Sequence, residues 1–284
     1  MIKHLEINTQ KVKQTTKLLL ISDLHQTLNS KHDNLTKLKK ELQEEFKSID
    51  YILITGDIID NGIYLKNKSF CNQFIDSMKK FTEGKKTYYV LGNHDITIKE
   101  RNNQTETKKI EELLGKLNNF YYLKNNELFK INNISLLGFN PNLYYYLESR
   151  GSKEEFQKQF EENNSQEFPK NTFNIFLTHD PSSIIELSKD KNKCIKNNTD
   201  LVISGHMHDG LMPSILQKIT NHHGIVGPYN TKFPKYSHGI VDIDNTKYII
   251  LGPVNTYIKS KTINKVYSPK AYILTINPTK KIVK

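Results

Sequence analysis

Two histidines, His206 and His208, stand one residue apart directly after the apolar run Leu201–Ser204 and a glycine. The same arrangement recurs four times elsewhere in the chain. Lys17–Ser22 leads into Asp23-Leu24-His25, and Tyr51–Thr55 leads into Gly56-Asp57 with Asp60 three residues on. Thr87–Leu91 leads into Gly92-Asn93-His94-Asp95, and Asn174–Thr178 leads into His179-Asp180. Carboxylate oxygens and imidazole nitrogens without thiolates favour Mn, Fe or Zn in an open site over a closed structural zinc. These clusters offer two or three Asp, one Asn and four or five His, about eight candidate ligands, more than one tetrahedral ion needs, and a carboxylate can bridge two ions. The set therefore implies two divalent cations roughly 3.5–4 Å apart, able to clamp a phosphoryl group and activate water.

Such a site requires elements that bring five distant segments together. Apolar positions at helical spacing predict helices over Asn34–Phe46 (Leu35, Leu38, Leu42, Phe46), Ser69–Phe81 (Phe70, Phe74, Met78, Phe81) and Lys108–Leu117. Alternating with the strands of the first half, they predict a mainly parallel α/β sheet covered by helices. Later runs, at Glu127–Ile131, Ser135–Phe139, Asn174–Thr178, Leu201–Ser204, Gly239–Ile243, Lys247–Leu251 and Ala271–Ile276, predict a second sheet packed on the first. Ligands of open α/β sheets collect at the carboxyl ends of the strands, where all five clusters lie. No linker or repeat divides the chain, so residues 1–284 read as a single domain. Residues 140–170, which include a charged helical stretch, read as an insertion over the site, and 211–238 as a long loop near it.

The series D-x-H, G-D-x-x-D, G-N-H-D, H, G-H-x-H is met by residues 23–25, 56–60, 92–95, His179 and 205–208. Over about Leu18–His208 the chain thereby resembles the calcineurin-like metallophosphoesterase superfamily. The resemblance implies a four-layer α/β/β/α sandwich of two packed mixed sheets with a dinuclear metal site at the strand ends. It implies that Asp23, His25 and His208 bind one metal and Asn93, His179 and His206 the other, with Asp57 bridging. His94 would face the leaving-group oxygen as acid or charge stabiliser, joined by Asn93 in substrate binding, and Asp60 would hold the His94 ring. Two cations lower the pKa of a bridging water, so that hydroxide attacks phosphorus in line near neutral pH.

The later text, GHMHDG and then GIVGPYNTKFPKYSHGIV, is similar to the bacterial branch of small phosphohydrolases related to UDP-diacylglucosamine pyrophosphatases. Members there commonly carry Gly-Gly after G-H-x-H and often begin with a membrane or export segment. This chain has Asp209-Gly210 and no such start, which separates it from close substrate transfer. Asn61 and Asp95 stand where the protein-phosphatase branch differs, arguing against phosphoprotein substrates. The expected activity is hydrolysis of a small phosphomonoester or phosphodiester. The alternatives are a nuclease of the same family and a catalytically silent protein-binding scaffold.

A hydrophobic fraction of 36% and a charged fraction of 25% fit a globular chain. The net charge of +11 would attract nucleic acid, acidic lipid or phosphorylated substrates. Of its 41 basic residues only Arg101 and Arg150 are arginine, the usual fork for base recognition, so sequence-specific DNA reading is disfavoured. Two cysteines, Cys71 and Cys194, make no disulfide framework and read as buried thiols of a reducing compartment. With no signal peptide or apolar membrane span, the expectation is a cytoplasmic protein without an obligate protein partner. Asp209 reads as a solvated loop residue, and His4 and His32 as surface residues. Asp95 and Asp180 could back the ligands or cap a helix. His222, His223, His238 and Tyr144–Tyr146 are open to both a substrate-side and a packing role.

Overall fold

A computed structural model describes residues 1–27, 34–95, 105–142, 145–146, 152–163, 165–189, 198–243, 245–255 and 270–279. The first sheet orders its strands β1 (Ile2–Thr9), β12 (Ala271–Pro278), β2 (Thr16–Ile21), β3 (Tyr51–Thr55), β4 (Thr87–Val90) and β5 (Phe120–Tyr122). The second orders β10 (Gly239–Ile243), β11 (Thr246–Ile250), β9 (Leu201–Ser204), β8 (Phe173–Thr178), β7 (Ile134–Phe139) and β6 (Leu128–Ile131). Both sheets are mixed. In the first, β2 to β5 run parallel and β12 runs antiparallel to β2. In the second, β7, β8, β9 and β11 run parallel between the antiparallel outer strands β6 and β10.

Strand periodicity makes the layers. Successive side chains of β2 point to opposite faces, so Leu19 and Ile21 meet the helices while Leu18 and Leu20 meet the other sheet. The outer face of the first sheet is covered by α1 (Asn34–Lys47), α2 (Lys68–Thr82) and α3 (Thr105–Leu114), whose stripes include Leu38, Phe74 and Ile110. Between the sheets Leu18, Leu20 and Leu53 pack with Ile175, Leu177, Leu201 and Ile203. The outer face of the second sheet receives α4 (Lys153–Asn163) and α5 (Pro181–Ser188), where Phe156, Phe160, Ile184 and Ile185 pack on Phe139, Phe176 and Val202. The expected α/β/β/α sandwich is the observed one.

The differences are local. The strand expected at Ala271–Ile276 joins the first sheet, not the second. It lies between β1 and β2, where its first four residues are buried as an interior position demands. Strands β1 and β5 were not anticipated: β1 is a half-exposed edge with few apolar residues, and β5 has only three residues. Helix α3 starts and stops three residues earlier than its stripe suggests, and Leu117 reaches the same core from the turn that follows. Cys71 is only partly buried, its Sγ 3.5 Å from the Leu65 carbonyl. Cys194, His32 and Tyr144 lie outside the described residues. Among the described residues no helix is long and apolar enough to cross a membrane.

Candidate metal centre

The exits of β2, β3, β4, β8 and β9 meet at one rim, locked together by backbone hydrogen bonds. Asp23 N donates to Gly56 O at 3.1 Å, His25 N to Asp57 O at 3.0 Å, and Gly205 N to His179 O at 3.0 Å. Asp23, His25, Asp57, His206 and His208 all take left-handed backbone conformations, with φ between 40° and 66°. Non-glycine residues hold that conformation only where the surroundings over-determine it, and such strain gathers at functional sites. Two glycines permit the close approach. A Cβ on Gly92 would lie 2.2 Å from Asp57 Oδ1, and one on Gly205 would lie 1.7 Å from Ser22 Oγ.

Three groups of ligand atoms result, each with its atoms within 4.8 Å of one another: His25, Asp60 and His94 form one at the edge, and the two others meet at Asp57. One holds Asp23, His25, Asp57 and His208; the other holds Asp57, His179 and His206. In the first, His25 Nε2 is 3.2 Å from His208 Nε2 and 3.7 Å from Asp57 Oδ2, and His208 Nε2 is 3.3 Å from Asp23 Oδ1. In the second, His179 Nε2 is 3.2 Å from Asp57 Oδ2 and 3.1 Å from His206 Nδ1. The Asp57 carboxylate belongs to both. His179 Nδ1 donates to the Thr55 carbonyl at 2.7 Å, which fixes its tautomer and turns Nε2 to the cluster. Buried polar atoms are nearly always paired, yet Asp23 Oδ1, Asn93 Oδ1 and His206 Nε2 have no hydrogen-bond partner among the described residues. Converging oxygen and nitrogen donors with unsatisfied lone pairs fit a pair of divalent cations.

His94 stands at the edge of the cluster, grouped with His25 and Asp60. Its ring lies edge-on to His25 at 4.7 Å, and its backbone N donates to Asp57 Oδ1 at 2.8 Å. Asp60 holds the ring through its backbone: the carbonyl oxygen lies 2.6 Å from His94 Nδ1, while the carboxylate sits 3.3 Å from His25 Nδ1. Asp95 ties two loops, its buried carboxylate accepting from the backbone N–H groups of Ile58, Ile59 and Gly92. Asp180 caps α5 through Ser182 N and also accepts from the Tyr145 hydroxyl.

Burial works against charge throughout the cluster. It pushes Asp23 up from the usual carboxylate value, and raises Asp95 to about 6 with help from the charge of Asp57. Asp57 feels the same penalty, but His179, His94 and His25 outweigh it and hold it well below the ordinary range. His179 is the counterpart. Burial favours its neutral ring, and the charges and hydrogen bonds of Asp57 and its neighbours overturn that, raising it to about 10. Burial, reinforced by the charge on His179, lowers His206 to about 3; burial and His25 hold His208 well below its usual value. A proton on His179 thus supplies the positive charge that the carboxylates demand, a place a cation can take.

Asp209 corrects the sequence reading. It is not solvated but fully buried in an ion pair with the equally buried Lys270, whose Nζ also lies 3.3 Å from Gln217 Oε1. Nothing near Asp209 in sequence announces a partner 61 residues away. The tyrosine cluster divides: Tyr145 enters the outer core, and the Tyr146 ring lies 5.8 Å from His206 and 6.3 Å from His179. Tyr229, which the sequence did not single out, places its ring 5.9 Å from His206. Its one signal was membership of the loop after the last motif. The His222 and His238 rings turn to nearby backbone, with His222 Nδ1 2.8 Å from His238 O and His238 Nε2 3.3 Å from His223 O. His4 is exposed beside Glu45.

The sequence model of calcineurin-like phosphoesterases matches residues 16–210. An uncharacterized metallophosphoesterase of Helicobacter pylori strain J99 is 29% identical over 229 residues, covering 79% of this chain and 54% of its own length. The uncharacterized metallophosphoesterase YkoQ of Bacillus subtilis is 25% identical over 198 residues, covering 68% of this chain and 61% of its own. The chain thus spans little more than half the length of the relatives it matches. Among solved structures, a dimetal phosphatase from Danio rerio aligns with 85% of this chain and 88% of its own at 11% identity and a TM-score of 0.44.

Proposed function

The chain belongs to the calcineurin-like phosphoesterase family, and from that premise we propose that it hydrolyses a small phosphomonoester or phosphodiester. The observation that carries this reading is the Asp57 carboxylate shared by two separate ligand groups. When bound there, two divalent cations supply charge to neutralise phosphoryl oxygens and lower the pKa of water for in-line attack. Asp23, His25 and His208 would hold one cation and Asn93, His179 and His206 the other. Mn or Fe suits these oxygen and nitrogen donors best, with Zn also compatible.

The remaining roles fall to residues at the rim. With Nδ1–H held by the Asp60 carbonyl, His94 offers Nε2 to the leaving-group oxygen as proton donor or charge stabiliser. Asn93, which precedes His94 in the chain, would help orient the phosphoryl group. Asp60 acts on both histidines, through its carbonyl on His94 and through its carboxylate on His25. The intersheet core, which runs from Val12 between β1 and β2 to Ile276 in β12, supports reading 1–284 as one domain. The unpaired Cys71 thiol accords with a cytoplasmic setting.

Hydrolysis of p-nitrophenyl phosphate and of its bis ester, with Mn and after chelation, tests the proposal. Turnover of either ester that chelation abolishes and Mn restores is the expected result. Silence towards both, indifferent to metal, would assign the fold to a binding scaffold. Activity confined to DNA, falling steeply with salt, would assign it to a nuclease.

A further inference from the structure

Exposed apolar side chains among the described residues are concentrated in one stretch of the chain. Among the described residues eight large hydrophobics are exposed, and six belong to the segment after the last ligand: Ile215, Leu216, Ile219, Ile225, Tyr229 and Phe233. Three are nearly bare, Ile215 at 83%, Ile219 at 78% and Phe233 at 70%. Scattered surface leucines are ordinary; a cluster of isoleucines and a phenylalanine on one loop marks an interaction site.

The charge of the segment is equally one-sided. From Gly210 to Val241 no Asp or Glu occurs, while Lys218, Lys232 and Lys235 are exposed among the apolar positions. The flanking acids are engaged elsewhere, Asp209 with Lys270 and Asp242 with Lys247. The backbone is built, not loose. Phe233 N donates to Ile225 O at 3.0 Å, Val226 bridges to Lys232, and Ile225 N is anchored to Gly210 O at 2.7 Å. Tyr229, at the turn between Ile225 and Phe233, has its ring against His206. The same loop therefore borders the metal centre and presents the apolar and basic side chains.

We propose that the face formed by residues 211–238 docks on an anionic lipid surface, bringing the metal centre to phosphoesters held there. Apolar side chains interleaved with lysines, free of acids, are the chemistry of an interfacial segment: the apolar groups enter the headgroup boundary and the lysines meet the anionic headgroups. The net charge of +11 adds long-range attraction of the same sign. A protein partner would need matching acids and a complementary apolar surface; a lipid interface supplies both without shape matching.

Co-sedimentation of the 284-residue chain with vesicles tests this, using phosphatidylcholine alone and mixed with phosphatidylglycerol. Binding to the mixed vesicles, weakened by salt and weak on phosphatidylcholine alone, is expected. Ile219→Asp and Phe233→Asp should each lower the partition coefficient by roughly tenfold or more, the worth of one buried side chain. Lys218→Gln with Lys232→Gln and Lys235→Gln should remove most of the salt-sensitive part, at roughly fivefold per lysine. None of these residues lies in the metal centre, so hydrolysis of bis(p-nitrophenyl) phosphate should be unchanged, and failure here is separable from failure of the phosphoesterase reading. Absence of binding to the mixed vesicles, or undiminished binding by Phe233→Asp, overturns the proposal. A dimer in light scattering that Phe233→Asp dissolves, with vesicles left unbound, overturns it in favour of a second copy on this face.

Discussion

Asp57 and His94 are bonded to each other through a backbone N–H, yet their side chains face different tasks. Asp57 belongs to both ligand groups, so its loss removes an oxygen from each. Asp57→Asn should bind fewer than two Mn ions per chain, measured by elemental analysis after gel filtration. His94 is a rim residue whose Nδ1 is committed to the Asp60 carbonyl. His94→Gln should retain the full metal content while kcat falls roughly 10²–10⁴-fold, the usual contribution of a general acid. Loss of metal from His94→Gln would move that ring into the coordination sphere and overturn the division of roles. That these residues meet was legible from sequence, because carboxylate, amide and imidazole types recur at strand ends in fixed order. The Asp60 contact was legible only as a pairing; which of its atoms holds which ring depends on the loop backbone, which spacing does not encode.

Two contacts between elements set how firmly the rim is held. Asp95 joins the loop after β3 to the loop after β4 through three backbone donors. Removing their acceptor leaves buried N–H groups unsatisfied at about 1–3 kcal/mol each. Asp95→Ala should therefore destabilise the fold by about 3 kcal/mol or more, and Asp95→Asn, which can still accept from Ile58 and Ile59, by clearly less. Chemical denaturation of both variants reads the order, and equal losses would rule out this account. The Asp209–Lys270 pair links the segment after His208 to the start of β12. Lys270→Met strands a buried carboxylate and should cost about 3–5 kcal/mol. Adding Asp209→Asn removes that charge and suits the left-handed backbone at φ 59°, so the double variant should recover much of the loss. Neither contact could be read from spacing, since each depends on segments that meet only in the folded molecule.

At the scale of the whole molecule, the sandwich was legible wherever a strand carries a run of Leu, Ile, Val or Tyr. It failed where the tertiary environment decides. An edge strand such as β1 needs few apolar residues because one face meets solvent, and β12 looks like its sequence neighbours although it crosses to the other sheet. Packing two sheets also buries the strand-end carboxylates and imidazoles, so their charges must be balanced by a proton or by metal. Without metal, His179, raised to about 10 against an ordinary 6.5, keeps its proton over the neutral range. The pairing it makes with Asp57 then contributes stability fully below pH 6.5, lost as pH rises through about 10. A metal ion ligated by His179 must displace that proton. Mn affinity should accordingly tighten with rising pH between 6.5 and 10, by up to about tenfold per unit for one proton released. Calorimetric titration in two buffers of different ionisation enthalpy reads the release directly, and near neutral pH at least about one proton per chain is expected. Release of none, or affinity flat across that range, would show that His179 either is neutral before metal arrives or does not bind it.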